Sequence, residues 1–349
     1  MLERGRKAPL KAGTEEDRGV RSPASVGDPR SEAAAAEAAA AGAVAEIWGD
    51  TAVTRAGAIV HQGWLDSSLV LRECVNPRLH GDPGMNWLVG LVKRLGIPLT
   101  GHWLSLGCGS AGTELYAARQ GLFESMLALD LAERAIEEAR RAAAAEGITK
   151  IEFGVVDFNR IAPPPATFDV VLMCMSLHHV AALEKVLRAI RRALKPGGYL
   201  LINEFVGPRQ FQFPDVQLAV VRELLAALPE RLRMDSVTGR VKSEYVRMPV
   251  EHWQRWDPSE AVRSDEIVSL LHRHFDVTLH LPYGGTVLNP LLEHIVHNWR
   301  LGEPEDVELF RLLARTEDLL LRNGVLANDF VVMAMRKRGW KSRLWRRGR

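Results

Sequence analysis

The stretch LSLGCGSAGTEL, residues 104–115, contains glycines at a spacing that suits a cofactor loop. Gly107, Gly109 and Gly112 follow the pattern G-x-G-x-x-G, in which small residues let a ligand approach the backbone closely. Asp130 follows 23 residues after Gly107, at a place where a carboxylate accepts hydrogen bonds from both hydroxyls of a ribose. These residue types at this spacing predict a site for a cofactor that contains a ribose.

NAD and S-adenosylmethionine both fit this loop, because both carry an adenosine ribose. Asp157 ends a later predicted strand in FGVVDF, where a carboxylate can accept the adenine amino group with Phe158 beside the ring. A further strand runs into MCMSLHHV, whose small and apolar residues would line a cofactor. No later segment resembles a dehydrogenase substrate domain. These features favour S-adenosylmethionine, with an NAD-dependent oxidoreductase and a non-catalytic cofactor-binding scaffold as alternatives.

The elements that must position these residues alternate between strand and helix from residue 102. The predicted strands are HWLSL, SMLALD, KIEFGVVD, FDVVLMCM and YLLINEF, and the predicted helices between them are TELYAARQG, AERAIEEARRAAAAEG and LEKVLRAIRRALKPGG. Strands separated by helices predict right-handed crossovers and a parallel sheet. Two further strands, DVTLHL and DFVVMAMRK, follow after helical segments.

Five of these pieces resemble the motifs of class I S-adenosylmethionine-dependent methyltransferases. They are LSLGCGSAGTEL, LALDLAERAIEEAR, FGVVDF, FDVVLMCMSLHHV and LKPGGYLLINEF, within residues 100–206. The resemblance implies an α/β fold with a seven-stranded Rossmann-like, doubly wound sheet, completed by residues 263–337, whose last strand is antiparallel. It implies that the glycines contact the methionine part of the cofactor, Asp130 the ribose and Asp157 the adenine. The full set of predicted cofactor-binding residues is Gly107, Cys108, Gly109, Asp130, Leu131, Asp157, Phe158 and Met175.

Two residues of the loop depart from the family pattern. Ser105 stands where the family usually has an acid, and Ala111 stands where it has its third glycine. We expect alanine to be tolerated there if its φ is negative. The segments CVNPRLHGDPGMNW, NEFVGPRQFQFP, DPSEAVRS and PYGG are similar to a bacterial methyltransferase group associated with glycosyltransferases. That similarity implies a glycan-precursor acceptor.

Candidate catalytic residues follow the fourth and fifth strands, whose carboxyl ends face the cleft of an open parallel sheet. Since a neutral alcohol is a poor nucleophile, transfer to a hydroxyl benefits from a base. His179 and Glu204 are the predicted catalytic residues, and His178 is a further candidate. The alternative for Glu204 is an ion pair with Arg209 or Arg263.

Three more side chains are predicted to bind the acceptor, Arg209, Gln212 and Tyr283. No metal site is predicted, because His272 and His274 lie two apart on a helix and so face different ways. The expected substrate is a small molecule or a glycan precursor, methylated on a hydroxyl.

The length, charge and cysteine content of the chain limit its expected localisation and binding partners. The 349 residues carry a net charge of +2 and three scattered cysteines, which predicts a cytoplasmic protein that does not bind nucleic acid. Residues 1–45 are expected to be disordered, 46–99 to form a helical cap, and 100–338 to form the methyltransferase domain, with insertions at 207–262 and 285–326. The sequence contains no predicted membrane span. The basic tail, 339–349, is a candidate for contact with an anionic membrane surface.

Overall fold

A computed structural model describes residues 41–42, 45 and 63–338, apart from the side chain of Phe158. The described strands are β1 (His102–Leu106), β2 (Ser125–Asp130), β3 (Ile151–Val155), β4 (Phe168–Cys174), β5 (Leu194–Phe205), β6 (Phe275–Gly284) and β7 (Phe330–Lys337). The predictions for residues 1–45 and 339–349 lie outside the described residues, except that 41–42 and 45 are helical.

The seven strands form one sheet in the order β3-β2-β1-β4-β5-β7-β6. β1 pairs in parallel with β2 and β4, and the parallel pairing continues to β3 on one side and β5 on the other. β7 is antiparallel to both of its neighbours, β5 and β6. The predicted seven-stranded, doubly wound sheet with an antiparallel last strand is therefore confirmed.

Helices connect the strands and extend from both ends of the domain. The described α-helices are α1 (Ser68–Val70), α2 (Asn76–His80), α3 (Trp87–Leu95), α4 (Gly112–Arg119), α5 (Glu133–Ala145), α6 (Leu183–Ala193), α7 (Asp215–Ala227), α8 (Val250–Trp256), α9 (Ile267–His274), α10 (Leu288–Leu292) and α11 (Pro304–Arg322). A π-helical segment, Leu71–Val75, joins α1 to α2. In the described part of the chain, no helix combines the length and apolar character needed to cross a membrane.

One predicted boundary is wrong. The sequence places the stop of a helix at LKPGG, but α6 ends at Ala193 and β5 begins at Leu194. Leu194 pairs with Phe168 of β4, so the Pro-Gly-Gly segment belongs to the strand. A Cβ added at Gly198 would lie 2.8 Å from the Asp169 carbonyl oxygen, which explains why a glycine suits this position.

The core lies on both faces of the sheet. Trp103 and Leu104, adjacent in β1, are each fully buried but belong to different apolar clusters, one on each face. A strand buried on both faces is typical of a parallel sheet covered by helices. Leu69 and Leu88, from the N-terminal helices, share the cluster that contains Trp103. The predicted helical cap, where it is described, therefore packs into the same core as the seven-stranded sheet.

Residues 207–262, the predicted insertion, lie between β5 and α9 along the chain and reach the carboxyl edge of the sheet, where Glu260 contacts His178. The two ends of the insertion are joined where Gln210 N donates to Ala261 O at 2.9 Å. Gln212 Nε2 donates to Met248 O at 2.9 Å and thereby holds the segment that leads into α8. α8 contains no buried residue, and Trp256 at its end is 53% exposed. The insertion therefore places an exposed aromatic helix next to the edge where ligands bind in open α/β sheets.

Candidate active site at the carboxyl edge of the sheet

The glycine loop, residues 107–112, leaves its backbone open to a ligand. Gly107 N and Cys108 N donate to Leu129 O at 2.8 and 3.2 Å, which ties the loop to β2. A Cβ added at Gly109 or Gly112 would meet no atom within 4 Å. Space thus exists beside two of the three glycines, as the close approach of a cofactor requires.

Asp130 links the glycine loop to the next helix. Its Oδ2 accepts a hydrogen bond of 2.7 Å from Gly109 N, and its Oδ1 accepts one of 2.8 Å from Ala132 N. A carboxylate offers about four acceptor positions, so each oxygen can accept another donor such as a ribose hydroxyl. Asp130 and Leu131 are both half-buried. The residues at this end of β2 fit an adenosyl cofactor.

Ser105, which stands where the family usually has an acid, contacts a carboxyl from another element. Ser105 Oγ donates to Glu114 Oε1 at 2.6 Å, and Glu114, in the first turn of α4, is only 2% exposed. Burial raises the pKa of Glu114 to about 7. Sequence reasoning missed this carboxyl because Glu114 lies nine residues from Ser105.

Ala111 does not behave as expected. Its φ is +63°, so the condition of a negative φ under which alanine was expected to be tolerated is not met. A left-handed alanine costs on the order of 1–2 kcal/mol. The side chain is fully buried, and packing holds the strained residue at the start of α4.

The remaining predicted cofactor residues lie at the ends of β3 and β4. Asp157 Oδ1 accepts a hydrogen bond of 2.9 Å from Asn159 N, and its Oδ2 lies 3.5 Å from Arg160 Nε. Met175 has a φ of +51°, and its N donates to Asn203 O at 2.8 Å. Cys108 is buried, and burial raises the pKa of its thiol well above the usual range. The positive φ of Met175 is relevant because non-glycine residues with a positive φ cluster at functional sites.

The histidine turn, Leu177–His179, is fixed beside the glycine loop. Ser176 Oγ donates to Leu106 O at 2.8 Å, and Leu106 directly precedes Gly107. Glu204 of β5 is fully buried, and its Oε2 accepts hydrogen bonds of 3.0 and 2.7 Å from Ser176 N and Leu177 N. Its Oε1 binds Phe205 N at 2.9 Å and also binds His178 Nδ1.

These contacts show how Glu204 is held. Its oxygens bind three amides and an imidazole in the interior, so it positions the histidine turn, and its predicted catalytic role stays a prediction. The alternative of an ion pair with Arg209 or Arg263 is wrong. Arg209 binds Asp265 and Glu266, and Arg263 binds Glu184 and Glu266.

A carboxylate from the insertion completes the histidine cluster, which consists of His178, His179 and Glu260. Glu260 Oε1 lies 3.5 Å from His178 Nε2, and Glu260 Oε2 lies 4.0 Å from His179 Nε2. The two imidazole rings lie 4.1 Å apart, centroid to centroid. Sequence reasoning missed Glu260 because the insertion brings it to the histidines from a distant part of the chain.

Two neighbours fix the orientation of His179. Its Nδ1 lies 3.1 Å from Ser259 Oγ. Ser259 Oγ in turn donates to Asp257 Oδ1 at 2.7 Å. Because the hydroxyl proton is used toward Asp257, the serine oxygen accepts from Nδ1–H, which leaves the lone pair of His179 on Nε2.

The electrostatics of the two histidines differ. Burial lowers the pKa of His178, but the charges and hydrogen bonds of Glu204 and Glu260 outweigh burial and raise the pKa to about 10. Burial, followed by the charge of His178, lowers the pKa of His179. For Glu260, the neighbouring histidines outweigh burial and lower the pKa. His179 is therefore the neutral imidazole of the pair.

The three predicted acceptor-binding residues lie in different environments. The Arg209 side chain is 48% exposed and is held by its two carboxylate partners. Gln212 fastens the insertion through its amide, as described above. Tyr283 is 1% exposed, stacks on Trp64, and donates its hydroxyl to Asn203 Oδ1 at 2.7 Å. Tyr283 is thus buried in the core, Arg209 is bound to Asp265 and Glu266, and the contacts of these residues with an acceptor stay predictions.

An aromatic cluster, consisting of Phe205, Phe211, Phe213 and Trp253, adjoins the histidines. The Phe205 ring lies 6.2 Å from that of His178 and 5.0 Å from that of Phe211. Phe211, in turn, lies 5.2 Å from Trp253 of α8. Trp253 Nε1 is buried without a hydrogen-bond partner among the described residues. The sequence gave no direct signal for this cluster, since its members come from β5 and two parts of the insertion.

The fold and the glycine loop define a Rossmann-like domain that binds an adenosyl cofactor, and comparisons with known proteins agree. Residues 104–202 match the family model of the methyltransferase domain. A demethylmenaquinone methyltransferase of Tropheryma whipplei is 29% identical over 174 residues, covering 49% of this chain and 68% of the relative. A ubiquinone biosynthesis O-methyltransferase of Leptothrix cholodnii is 28% identical over 146 residues, covering 41% of this chain and 60% of the relative.

Among solved structures, the [4+2]-cyclase SpnF is similar at 16% identity, with a TM-score of 0.44 and coverage of 80% of this chain and 88% of that protein. The chain carries a class I S-adenosylmethionine-dependent methyltransferase domain, and its cofactor is S-adenosylmethionine.

Proposed function

We propose that the protein transfers the methyl group of S-adenosylmethionine to a hydroxyl of a small-molecule acceptor. The hydrogen bond from Ser176 Oγ to Leu106 O carries this proposal, because it joins the histidine turn to the strand that leads into the glycine loop. Groups able to activate a hydroxyl therefore lie next to the cofactor loop. Methyl transfer needs this proximity, since the reacting atoms must be aligned in a closed site.

Five residues have proposed roles toward the cofactor. Gly107 and Gly109 lie along the methionine part, Asp130 binds the ribose, and Asp157 binds the adenine amino group. Glu114 supplies the carboxylate that attracts the methionine ammonium, in place of the acid missing at position 105. When bound, the cofactor supplies an electrophilic methyl group on a sulfonium.

The residues of the histidine cluster act on the acceptor. In the reaction, a bond forms between the acceptor oxygen and the methyl carbon, the bond from that carbon to sulfur breaks, and the hydroxyl loses its proton. The Nε2 lone pair of His179 is directed by Ser259 toward the space shared with Glu260. The cluster can take the proton at this atom, or it can stabilise the oxygen anion beside a cation.

The aromatic cluster supports an acceptor with an apolar or aromatic skeleton. Phe211 and Trp253 offer ring faces, and Trp253 Nε1 offers a buried donor to an oxygen of the acceptor. Oxygen as the methylated atom is supported by a relative whose name specifies O-methylation in ubiquinone biosynthesis. A glycan precursor is the second candidate, and it rests on the similarity of segments such as DPSEAVRS to the glycosyltransferase-associated group.

The cofactor assignment is tested by Asp130→Asn. We expect S-adenosylhomocysteine to bind about 10–100-fold more weakly, because charge-assisted hydrogen bonds of about 1.5–3 kcal/mol each are reduced. Isothermal titration calorimetry of the variant and of Glu152→Gln, an exposed acid on β3, measures the difference. Unchanged affinity in Asp130→Asn, or stabilisation of the wild type by NAD alone, would contradict the assignment.

The acceptor is tested with a labelled methyl donor. The protein is incubated with the donor and either an apolar or a nucleotide-sugar fraction of a bacterial extract. We expect label in the apolar fraction, in a product that NMR identifies as an O-methyl ether. Label only in the sugar fraction would select the glycan candidate. Tight cofactor binding without transfer of the labelled methyl group to any fraction would favour a scaffold and contradict the proposed function.

A further inference from the structure

We propose that His178, His179 and Glu260 form a binding site for one divalent transition-metal ion. Each residue offers one ligand atom, and these atoms lie within 4.8 Å of one another. Two imidazoles and a carboxylate suit zinc, iron, cobalt or manganese better than magnesium, which prefers oxygen ligands alone. Metal–ligand bonds of about 2.0–2.2 Å require only small movements of these side chains.

The direction of the lone pairs supports a cation. In the neutral state, His178 donates Nδ1–H to Glu204 and His179 donates Nδ1–H to Ser259. Both Nε2 atoms then carry lone pairs, and both face Glu260, whose oxygens are also acceptors. The three ligand atoms thus converge on one space, and a metal ion bound there would take the place of the proton that His178 carries in its absence.

The buried carboxylates around the histidine cluster also favour a bound cation. Glu204, Asp257 and Glu260 are all buried, with exposed fractions of 0, 0 and 7%. Glu204 and Glu260 contact His178, and Asp257 reaches His179 through Ser259, so carboxylate oxygens lie around both rings. A divalent cation held by the histidine cluster would lie close to these oxygens, which favour positive charge.

Both histidines also have the outer partners that metal ligands require. A metal-bound histidine almost always donates its other ring N–H to a carboxylate, a carbonyl or water, which fixes the ring. Glu204 does this for His178, and the Ser259–Asp257 pair does it for His179. The two Nε2 atoms are thereby presented in the orientation that a metal ion needs.

The site leaves room for a further ligand. Three protein ligands are typical of catalytic metal sites, in which the remaining position takes water or substrate. The side chains of His179 and Glu260 are 12% and 10% exposed, so the cluster is reached from one side. We assign this position to an oxygen of the acceptor, and this assignment alone rests on the proposed function. The ion would lower the pKa of the bound hydroxyl, whose proton passes to solvent water.

Metal binding is tested on the full chain without a histidine tag, after dialysis against EDTA. Co²⁺ is titrated into the protein in the absence of any acceptor. We expect one ion per chain, with visible d–d absorption of a site that contains nitrogen ligands, and a competing titration in which Zn²⁺ displaces it. Mg²⁺ is expected to leave the absorption unchanged.

Two variants and a control locate the ion. Glu260→Gln removes a ligand with little change in shape, and we expect Co²⁺ affinity to fall at least about tenfold. Ser259→Ala removes an outer partner of His179, and we expect a loss of about 10–100-fold. Glu251→Gln changes an exposed acid of the same insertion and should bind like the wild type. Circular dichroism checks that each variant is folded.

The outcomes separate this proposal from the proposed function. Absence of a stoichiometric site, or equal Co²⁺ affinity in the wild type and Glu260→Gln, would overturn the metal site even if methyl transfer occurs. Such a result would assign activation of the hydroxyl to His179 as a base. Tight Co²⁺ binding that depends on Glu260, without methyl transfer, would confirm the metal site while the proposed function fails.

Discussion

At the scale of single residues, a carboxyl from α4 lies against the position in β1 where the family usually has an acid. Ser105 occupies the family's acidic position, yet its hydroxyl binds the carboxyl of Glu114 from α4 at 2.6 Å. Burial raises the pKa of that carboxyl to about 7. A group with such a pKa is poised to ionise when a cation binds beside it, because a nearby positive charge favours the charged form.

Glu114→Gln should weaken binding of S-adenosylhomocysteine about tenfold, the equivalent of one charge-assisted hydrogen bond. In the wild type, affinity should rise between about pH 6 and pH 8, because the ammonium selects the ionised carboxylate. Calorimetry across this range measures both effects. Glu137→Gln, an exposed acid on α5, should keep the affinity and the pH dependence of the wild type.

Stability provides a second readout for Glu114. Its pKa is raised from 4.5 to about 7 on folding, so the folded state binds more protons between these values. The free energy of unfolding should therefore fall as pH rises from 4.5 to 7. Glu114→Gln should reduce that fall, and an unchanged pH profile of stability would contradict the buried, proton-binding state.

At the scale of elements, the strands were predictable because apolar runs bounded by turns recur with helices between them. The run HWLSL coincides with β1, and SMLALD coincides with β2. The end of α6 was not predictable, since Pro-Gly-Gly usually stops a helix. Here pairing of Leu194 with Phe168 extends β5 through that segment. This pairing depends on a strand that is distant along the chain, so the local sequence does not predict it.

Within the insertion, Gln212 connects the segment that follows β5 to the segment that leads into α8. Its amide donates to Gln210 O and Met248 O at 3.0 and 2.9 Å. Gln212→Ala should increase amide hydrogen exchange of residues 246–256, because exposed segments with few buried contacts open locally. Mass spectrometry of deuterated peptides measures this, with the melting temperature changed by only a few degrees.

Gln254→Ala, in the exposed part of α8, is the matched control and should leave the exchange pattern as it is. Since the histidine cluster draws Glu260 from the same insertion, Gln212→Ala should also weaken Co²⁺ binding slightly. Equal exchange in both alanine variants would mean that the Gln212 hydrogen bonds do not hold the segment.

At the scale of the whole molecule, the parts of the site that depend on contacts between distant segments could not be predicted from the sequence. The glycine loop and Asp130 belong to one strand–helix–strand unit, so their spacing alone predicted the cofactor site. The histidine cluster needs Ser259, which lies 80 residues from His179, and Glu204, which lies 26 residues from His178. The periodicity of the local sequence gives no information about contacts between residues so far apart along the chain. The same limit hid the buried ion-pair node around Glu317, whose partner Arg78 lies 239 residues away along the chain.

Glu317 of α11 joins three parts of the fold. Its fully buried carboxylate accepts hydrogen bonds of 3.0, 2.7 and 2.9 Å from Gly285 N, Val287 N and Leu288 N. It also binds Arg78 Nη1 at 2.7 Å. Arg78 belongs to the N-terminal helices and donates to Tyr283 O at 2.9 Å. This node therefore holds the cap, the end of β6 and α11 together.

Glu317→Ala should lower the free energy of unfolding by about 3–5 kcal/mol, since it removes the buried partner of Arg78 and leaves three amides without their acceptor. Urea denaturation followed by tryptophan fluorescence measures the change. Glu308→Ala removes a carboxylate that is 69% exposed and pairs with Arg311 on the surface of the same helix. That control should alter stability by no more than about 0.5 kcal/mol. If the two alanine variants unfold at the same urea concentration, the N-terminal helices are held by apolar packing and the buried node is dispensable.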